Sequence, residues 1–293
     1  MMVTLLFTGC ATIRKLNPIE SSTLEARRLT QQAESAIHKS NWDEAEQKLI
    51  SAIEKNPEDN RARNVLSEVL WERGAIEAAV EQKSRAIELS GRRDPYNLTE
   101  LGQMELSSGN AEAALDCADE AIQQDSSLAD AWTLRGFALR DLGRPDLALD
   151  AYYRSLSIRN DDPRTRLEIA RVYQQGGQPR RALAILNSAP KEAVASCPHF
   201  PDVCYLRGIV LRDLNRPADA VNELAAALEN GCANDDLLLH LADAQLAAGN
   251  VEDAQRTAAK LTSNGTPKFE LALQELRGRI AKKLADEPAP LWR

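Results

Sequence analysis

Small residues recur along this chain at a nearly constant interval, and that interval is what most limits how the chain can fold. One series consists of alanines 34 or 35 residues apart, with a single step of 38 residues before its sixth member: Ala45, Ala79, Ala114, Ala148, Ala182, Ala220 and Ala254. A second series runs in step with the first: Ala33, Ser67, Gly102, Gly136, Ala170, Gly208 and Ala242. A period of this length indicates stacked repeats, each of which is one supersecondary unit that packs on its neighbours.

The residues around each small position indicate that a repeat is a pair of α-helices. The chain is rich in helix formers such as Ala, Leu, Glu and Arg, whereas aromatic residues make up only 4% of it. In the second half of a repeat, the alanine is followed at helical spacing by a larger and then a small residue, as in Ala148, Tyr152 and Ser155. That spacing places all three on one helical face. Small residues on this face let two antiparallel helices approach closely.

The turns between the predicted helices carry the residues that helix ends favour. Glycines stand after the first helix of five repeats, where a left-handed conformation often ends a helix: Gly74, Gly109, Gly143, Gly177 and Gly249. Prolines stand at the start of three second helices, where the backbone N–H has no partner within the helix: Pro145, Pro179 and Pro217. Both features support the division of each repeat into two helices.

The period, the small residues and the turns resemble the tetratricopeptide repeat family. The resemblance implies an all-α solenoid, a right-handed superhelix of antiparallel helix pairs. Seven repeats are predicted between residues 26 and 268: 26–59, 60–93, 95–128, 129–162, 163–196, 201–234 and 235–268. A capping helix is predicted over 269–285, followed by a disordered tail over 286–293. Five apolar residues are expected to dock the capping helix on the seventh repeat: Phe269, Leu271, Leu273, Leu276 and Ile280.

Several residues depart from the family pattern. Lys83 stands where a bulky apolar residue is usual, and Arg135 and Arg207 stand where the family prefers Leu. Residues 191–200 form an insertion after the fifth repeat, where we expect irregular geometry.

In the resembling family, the first helices of the repeats line a concave groove that holds partner peptides. Side chains at spacings of three and four along those helices are therefore expected to face a protein or peptide partner: Asn64, Glu68, Trp71, Tyr96, Gln103, Phe137, Arg140, Arg171, Tyr205 and Arg212. Trp, Tyr and Arg are frequent interface anchors. The alternative for each residue is ordinary packing between repeats. The carboxylate clamp that some family members build from recurrent Lys and Asn is not matched, because only Asn64 stands near it.

The N-terminus resembles a bacterial lipoprotein signal. An apolar run over residues 1–7 is followed by two small residues and then Cys10. In that resemblance residues 1–10 are the signal segment, Cys10 receives lipid such as palmitate, and 11–25 form a tether to the membrane. The run is short, and no basic residue precedes it. A start codon placed too far downstream would produce both departures from the signal pattern. The alternative is a chance apolar start.

Three of the five cysteines are expected at one edge of the sixth repeat. Cys204 opens its first helix and Cys232 follows its second, while Cys197 lies just before it. Antiparallel helices bring these ends together, so a Cys197–Cys232 disulfide is the preferred pairing and Cys204–Cys232 the next. Free buried thiols are the alternative. A zinc site is disfavoured because no CxxC spacing is present.

Charge and motifs argue against other functions. The formal net charge is −8, which disfavours binding to a nucleic-acid backbone. No GxxxxGK[ST], HExxH or GxSxG motif is present, so we expect no enzyme activity, cofactor, metal or small-molecule substrate.

The leading hypothesis is a lipid-anchored protein-binding scaffold in a bacterial cell envelope, on the periplasmic side of a membrane, serving envelope assembly or secretion. The alternatives are a soluble cytoplasmic adaptor and a regulatory repeat domain separated from an enzyme.

Overall fold

The regular structure of the chain is helical, as predicted. The computed structural model describes residues 18–188, 198–232, 234–261 and 266–286, and the prediction of an all-α fold is confirmed over these residues. Their fifteen helices are α1 (Pro18–Ile37), α2 (Trp42–Lys55), α3 (Asn60–Glu72), α4 (Ile76–Leu89), α5 (Pro95–Ser107), α6 (Ala111–Gln124), α7 (Ala129–Asp141), α8 (Pro145–Ile158), α9 (Pro163–Gln175), α10 (Pro179–Asn187), α11 (Phe200–Asp213), α12 (Pro217–Glu229), α13 (Asp235–Ala247), α14 (Val251–Ala259) and α15 (Pro267–Asp286). None of these helices is both long and apolar enough to span a lipid bilayer.

Consecutive helices pack as pairs within two compact bodies. The N-terminal body extends to Ser126 and the C-terminal body begins at Ser127. In the N-terminal body, α1 packs on α2, α3 on α4 and α5 on α6. In the C-terminal body the pairs are α7 with α8, α9 with α10, α11 with α12 and α13 with α14, and α15 packs on the last pair.

The small residues that define the period lie where the helices of a pair meet. All seven alanines of the first series are fully buried. In the second series, a Cβ added to Gly208 of α11 would lie 2.5 Å from Cγ of Leu224 on α12. The recurrence therefore reflects how closely the two helices of each repeat approach.

The helix ends are stabilised by local capping. The side chain of Asp59 accepts a hydrogen bond of 3.1 Å from the backbone N–H of Ala62 at the start of α3. Asn234 does the same for α13, accepting from the N–H of Leu237 at 2.7 Å. Gly143, between α7 and α8, has a φ of 71°, a left-handed conformation that favours glycine.

The first helix begins earlier than predicted, so the tether assigned to residues 11–25 is wrong over 18–25. Helix α1 starts at Pro18 and carries Glu20 in its first turn, where an acidic side chain complements the helix dipole. Its buried stripe begins at Ala26 and continues through Thr30 and Ala33. The turns upstream of Ala26 extend this helix without a buried stripe of their own, which is why no apolar periodicity revealed them. Residues 1–17, with the signal segment and Cys10, lie outside the described residues.

The capping helix docks largely as expected. Phe269 and Leu273 pack against Leu261, while Leu276 and Ile280 lie in one cluster with residues of α13 and α14. Leu271 is 58% exposed, so its expected docking is wrong: it points away from the stripe that the other four residues share. The helix runs through Asp286, one residue into the stretch predicted as a disordered tail, and residues 287–293 lie outside the described residues.

Candidate functional site

Five of the residues predicted to face a partner lie on first helices of the C-terminal body. Phe137 and Arg140 are on α7, Arg171 is on α9, and Tyr205 and Arg212 are on α11. The contacts around them form two groups, one centred on Phe137 and Glu168 and the other on His240.

A buried carboxylate joins the first group. Glu168 of α9 is 5% exposed, and its two oxygens contact one arginine of α7 and one of α9 itself. Nη1 of Arg140 lies 2.5 Å from Oε2, and Nη1 of Arg171 lies 3.3 Å from Oε1. Arg140 also donates to Asp141 at 2.9 Å. The buried carboxylate thus holds two partly exposed guanidinium groups in place.

An aromatic ring lies beneath the guanidinium groups. The Cζ atoms of Arg164 and Arg140 are 4.9 Å and 5.3 Å from the centroid of the Phe137 ring, within the range of cation–π attraction. Phe137 also meets Tyr152 edge to face, with 5.8 Å between ring centroids. Phe137 is 9% exposed, so the structure assigns its ring to packing, the alternative open for each predicted groove residue. We call Phe137, Arg140, Arg164, Glu168 and Arg171 the arginine cluster.

Tyr152 lies beside this cluster with an unsatisfied hydroxyl. Its side chain is fully buried, and its Oη has no hydrogen-bond partner among the described residues. Burial raises the pKa of this phenol, and the negative charge of Glu168 raises it further while Arg140 opposes the shift. The hydroxyl therefore stays protonated and is a donor without an acceptor.

The second group is built around His240 of α13. Nη1 of Arg212 lies 2.6 Å from Nδ1 of His240, and the ring of Tyr205 lies 6.0 Å from the imidazole, tilted by 37°. Burial lowers the pKa of His240, and the nearby Arg212 lowers it further. The imidazole is therefore neutral, and its Nδ1 accepts a hydrogen bond from the guanidinium N–H. Burial likewise raises the pKa of Tyr205 to about 12.

Sequence reasoning missed both Glu168 and His240. Glu168 is a charged residue inside the buried stripe of α9, where periodicity predicts an apolar side chain. Its spacing of three from Arg171 was the available signal. The role of His240 as an acceptor for Arg212 depends on the packing of two helices from different repeats, so no local sequence pattern indicated it.

In the N-terminal body, Asn64 is held by a buried lysine. Lys83 of α4 is 1% exposed, and its Nζ donates to Oδ1 of Asn64 at 2.6 Å, to Oδ1 of Asn97 at 3.1 Å, and to Glu100. The amide of Asn64 in turn donates to Glu68 at 3.1 Å. Burial raises the pKa of Glu68, although Lys83 opposes the shift. Asn64 and Glu68 thus belong to a polar network across α3, α4 and α5.

The remaining predicted residues of this body are more accessible. Tyr96 is 62% exposed, Gln103 is exposed and Trp71 is half-buried. No hydrogen bond or ring contact joins these three side chains in the described structure, so it does not bring them into one group.

Cys204 and Cys232 lie in the same part of the sixth repeat. Cys204 is buried in a small apolar cluster with Ala227 and Leu237, and Cys232 packs against it. The two thiols are not bonded to each other, so the alternative Cys204–Cys232 pairing is not formed, and burial raises the pKa of Cys204 to about 11. Cys197 lies outside the described residues, so the Cys197–Cys232 disulfide stays a prediction. Among the described side chains, no group of His, Cys, Asp and Glu is arranged to hold a metal ion.

Comparisons with known proteins agree with this fold. Tetratricopeptide repeat models match residues 30–97, 99–163 and 205–265, and a further one matches 139–203. A tetratricopeptide repeat protein from Parabacteroides merdae superposes with a TM-score of 0.66 at 17% identity, over 88% of this chain and 99% of that one. No protein of curated function matches the sequence significantly.

Two further solved structures share the architecture. One is PilW, described as a widely conserved type IV pilus biogenesis factor, with a TM-score of 0.61 and 18% identity over 72% of this chain and 96% of that one. The other is pilF of Pseudomonas aeruginosa, with a TM-score of 0.60 and 16% identity over 77% and 99%. At such identities the likeness shows a shared fold.

Proposed function

This chain belongs to the tetratricopeptide repeat family, and from that premise we propose that it is a scaffold that binds protein or peptide partners on the first helices of its repeats. Proteins built from these repeats are typically non-enzymatic, and no catalytic family is indicated. The observation that carries the proposal is the pair of half-buried arginine sites on α7, α9 and α11. Arg140 and Arg171 are fixed by Glu168, and Arg212 by His240, so their remaining N–H groups are preorganised for a partner.

We propose further that Cys10 is lipidated and anchors the scaffold on the periplasmic side of a bacterial membrane. The support is the sequence over residues 1–10, in which an apolar run and two small residues precede Cys10. Residues 11–17 would then separate the lipid from α1, a reach of at most about 25 Å. A scaffold so close to a membrane suits the assembly of an envelope structure or a secretion machine. The pilus biogenesis factor with a similar fold makes a pilus one example.

Lipid labelling tests the anchor. The full chain and a Cys10→Ala variant are expressed in a bacterial host with a labelled fatty acid, and the envelope is fractionated. We expect label and membrane association in the parent chain and loss of both in the variant. A Cys10→Ala protein that stays in the membrane fraction to the same extent would contradict the anchor and leave the binding proposal standing.

Crosslinking in the native host tests the binding surface. Partners captured by the parent chain are compared with those of Tyr96→Ala and Arg212→Ala, both on first helices. The control is Leu147→Ala, which removes a side chain that is 46% exposed on the second helix α8. We expect both first-helix variants to lose partners while the control retains them, with circular dichroism showing all three folded. Equal capture by all four proteins would place the binding surface elsewhere.

A further inference from the structure

The arginine cluster has more hydrogen-bond donors than acceptors. Both oxygens of Glu168 are already engaged by Arg140 and Arg171. The guanidinium group of Arg164 stacks on Phe137 and makes no hydrogen bond or ion pair to any described residue. The Arg164 guanidinium group is therefore open to an anionic acceptor supplied from outside.

The donors that remain free are exposed and lie along one helix. Arg164, Glu168 and Arg171 are spaced by four and three residues on α9, which puts them on one face. Arg164 is exposed, and the Arg171 side chain is 39% exposed while its contact with Glu168 uses one nitrogen. The two guanidinium groups flank Glu168 on backbone positions about 10 Å apart. Cζ of Arg164 lies 4.9 Å from the centroid of the Phe137 ring, and the residue is exposed, so its N–H groups are accessible from solvent.

The charge around the cluster contrasts with that of the chain. The segment from Ala129 to Asn187 holds ten arginines, no lysine and seven acidic residues, whereas the whole chain carries a net charge of −8. A locally basic segment in an acidic protein attracts anions locally while the overall charge repels polyanions such as nucleic acid. Guanidinium groups match the planar geometry of carboxylates in particular.

We propose that the arginine cluster binds side-chain carboxylates of an acidic segment in the protein partner, with Arg164 and Arg171 as the contacting residues. This inference rests on the proposed function, because it names the chemistry of the partner that the first helices bind. Glu168 and Phe137 are positioning residues: the first fixes Arg171 through an ion pair, and the second fixes Arg164 through its ring.

Peptide titrations test the inference on the full chain in detergent. The probe is a short peptide of alternating Glu and Ala, acetylated and amidated at its ends, and its counterpart has Gln in place of Glu. We expect only the Glu peptide to bind, and to bind more weakly as salt is added. Arg164→Ala and Arg171→Ala should each weaken binding about fivefold, as expected for partly exposed ion pairs.

A matched control comes from the same body. Arg181 of α10 lies over the ring of Tyr173, with Cζ 5.7 Å from its centroid, so Arg181→Ala removes an exposed stacked arginine from a second helix. We expect its affinity for the Glu peptide to equal that of the parent. A double variant, Arg164→Glu with Arg171→Glu, should lose the Glu peptide and bind a Lys counterpart instead.

Four outcomes would overturn the inference. The first three are equal binding of the Glu and Gln peptides, equal losses in Arg181→Ala and Arg171→Ala, and tighter binding of a single-stranded oligonucleotide than of the Glu peptide. A Glu peptide that binds only with a free C-terminus would also overturn it, because the carboxylate would then be terminal. None of these outcomes would contradict the proposed function as long as Tyr96→Ala and Arg212→Ala still lose partners in the crosslinking experiment.

Discussion

A Cβ atom built on Gly136 of α7 would lie 2.3 Å from Cε1 of Tyr152 on α8. The Tyr152 ring is fully buried and fills the volume that a side chain at position 136 would need. Because the same ring meets Phe137 edge to face, it cannot move aside without disturbing the base of the arginine cluster. Gly136, one of the small residues that define the repeat period, therefore also determines how Tyr152 packs against Phe137 at the candidate site.

Substitution of Gly136 should destabilise the C-terminal body. We expect Gly136→Ala to lower the free energy of unfolding by about 1–3 kcal/mol, because the added methyl group overpacks the crossing. Gly278→Ala is the control, since a Cβ there meets nothing within 4 Å. It should raise stability by up to about 1 kcal/mol through helix propensity. Chemical denaturation followed by circular dichroism measures both, and a destabilised control would contradict the steric explanation.

Removal of the Tyr152 hydroxyl should stabilise the fold. The group is buried without a partner among the described residues, so Tyr152→Phe is expected to gain about 1 kcal/mol. The neighbouring Tyr153 provides the comparison, because its hydroxyl lies 3.0 Å from that of Tyr173 and Tyr153→Phe should lose a small amount of stability. A loss of stability in Tyr152→Phe would show that the hydroxyl is bonded in solution.

The fold was predictable because its main determinant is repeated seven times in sequence. Each buried alanine of the first series is a steric requirement at a helix crossing, and such requirements recur at the period of the structure. The start of α1 at Pro18 was not predictable in this way, because the helix extends beyond its packed stripe and nothing buried marks the extra turns.

The candidate site was predictable only in part. Arg140, Arg171 and Arg212 could be placed on first helices because helical spacing alone decides that. The contacts of Arg140 with Glu168 and of Arg212 with His240 could not be predicted, because each of these two contacts joins helices from different repeats. Glu168 in particular violates the apolar pattern of its own helix, and its ion pairs with Arg140 of α7 and Arg171 of α9 explain why a carboxylate is stable there.

Lys83 should be a strong stability determinant of the N-terminal body, although a bulky apolar residue is usual at its position. Lys83→Met would leave the amide oxygens of Asn64 and Asn97 without their donor, so we expect a loss of about 2 kcal/mol. Lys55→Met is the matched control, since Lys55 forms an exposed pair with Glu25 at 3.4 Å and should change stability by less than about 0.5 kcal/mol. Hydrogen exchange at α3–α5 measures the difference, and equal protection in both variants would contradict it.

Thiol labelling should separate the cysteines by burial. Burial raises the pKa of Cys204 to about 11, so its thiolate is scarce at neutral pH and its side chain is inaccessible. We expect a maleimide to leave Cys204 unmodified in the folded chain and to modify it rapidly in urea. Mass spectrometry without reductant also tests the predicted Cys197–Cys232 disulfide, which would protect Cys232 in urea until reductant is added. Rapid native labelling of Cys204 would contradict its burial.

Stability of the C-terminal body should fall as the pH decreases below about 6.5, the usual pKa of histidine. The pKa of His240 is lowered in the folded state, so the unfolded chain binds a proton that the folded chain excludes. The neutral imidazole contributes its full stabilisation at pH values above the pKa of His240 in the unfolded chain. This contribution is lost as the pH falls toward the pKa of His240 in the folded chain. Protonation would place a cation against Arg212, 2.6 Å away. The carboxylates of Asp213, Asp236 and Asp243 oppose this effect only in part.

His240→Gln should flatten this dependence, because a glutamine oxygen can accept from Arg212 without titrating. We expect the melting temperature of the parent to drop between about pH 7.5 and pH 5.5 by more than that of His240→Gln, since only the parent has this linked proton. The control His38→Gln removes an exposed histidine and should follow the parent profile. If His240→Gln loses as much stability on acidification as the parent does, the contact between Arg212 and His240 is not the origin of the pH dependence.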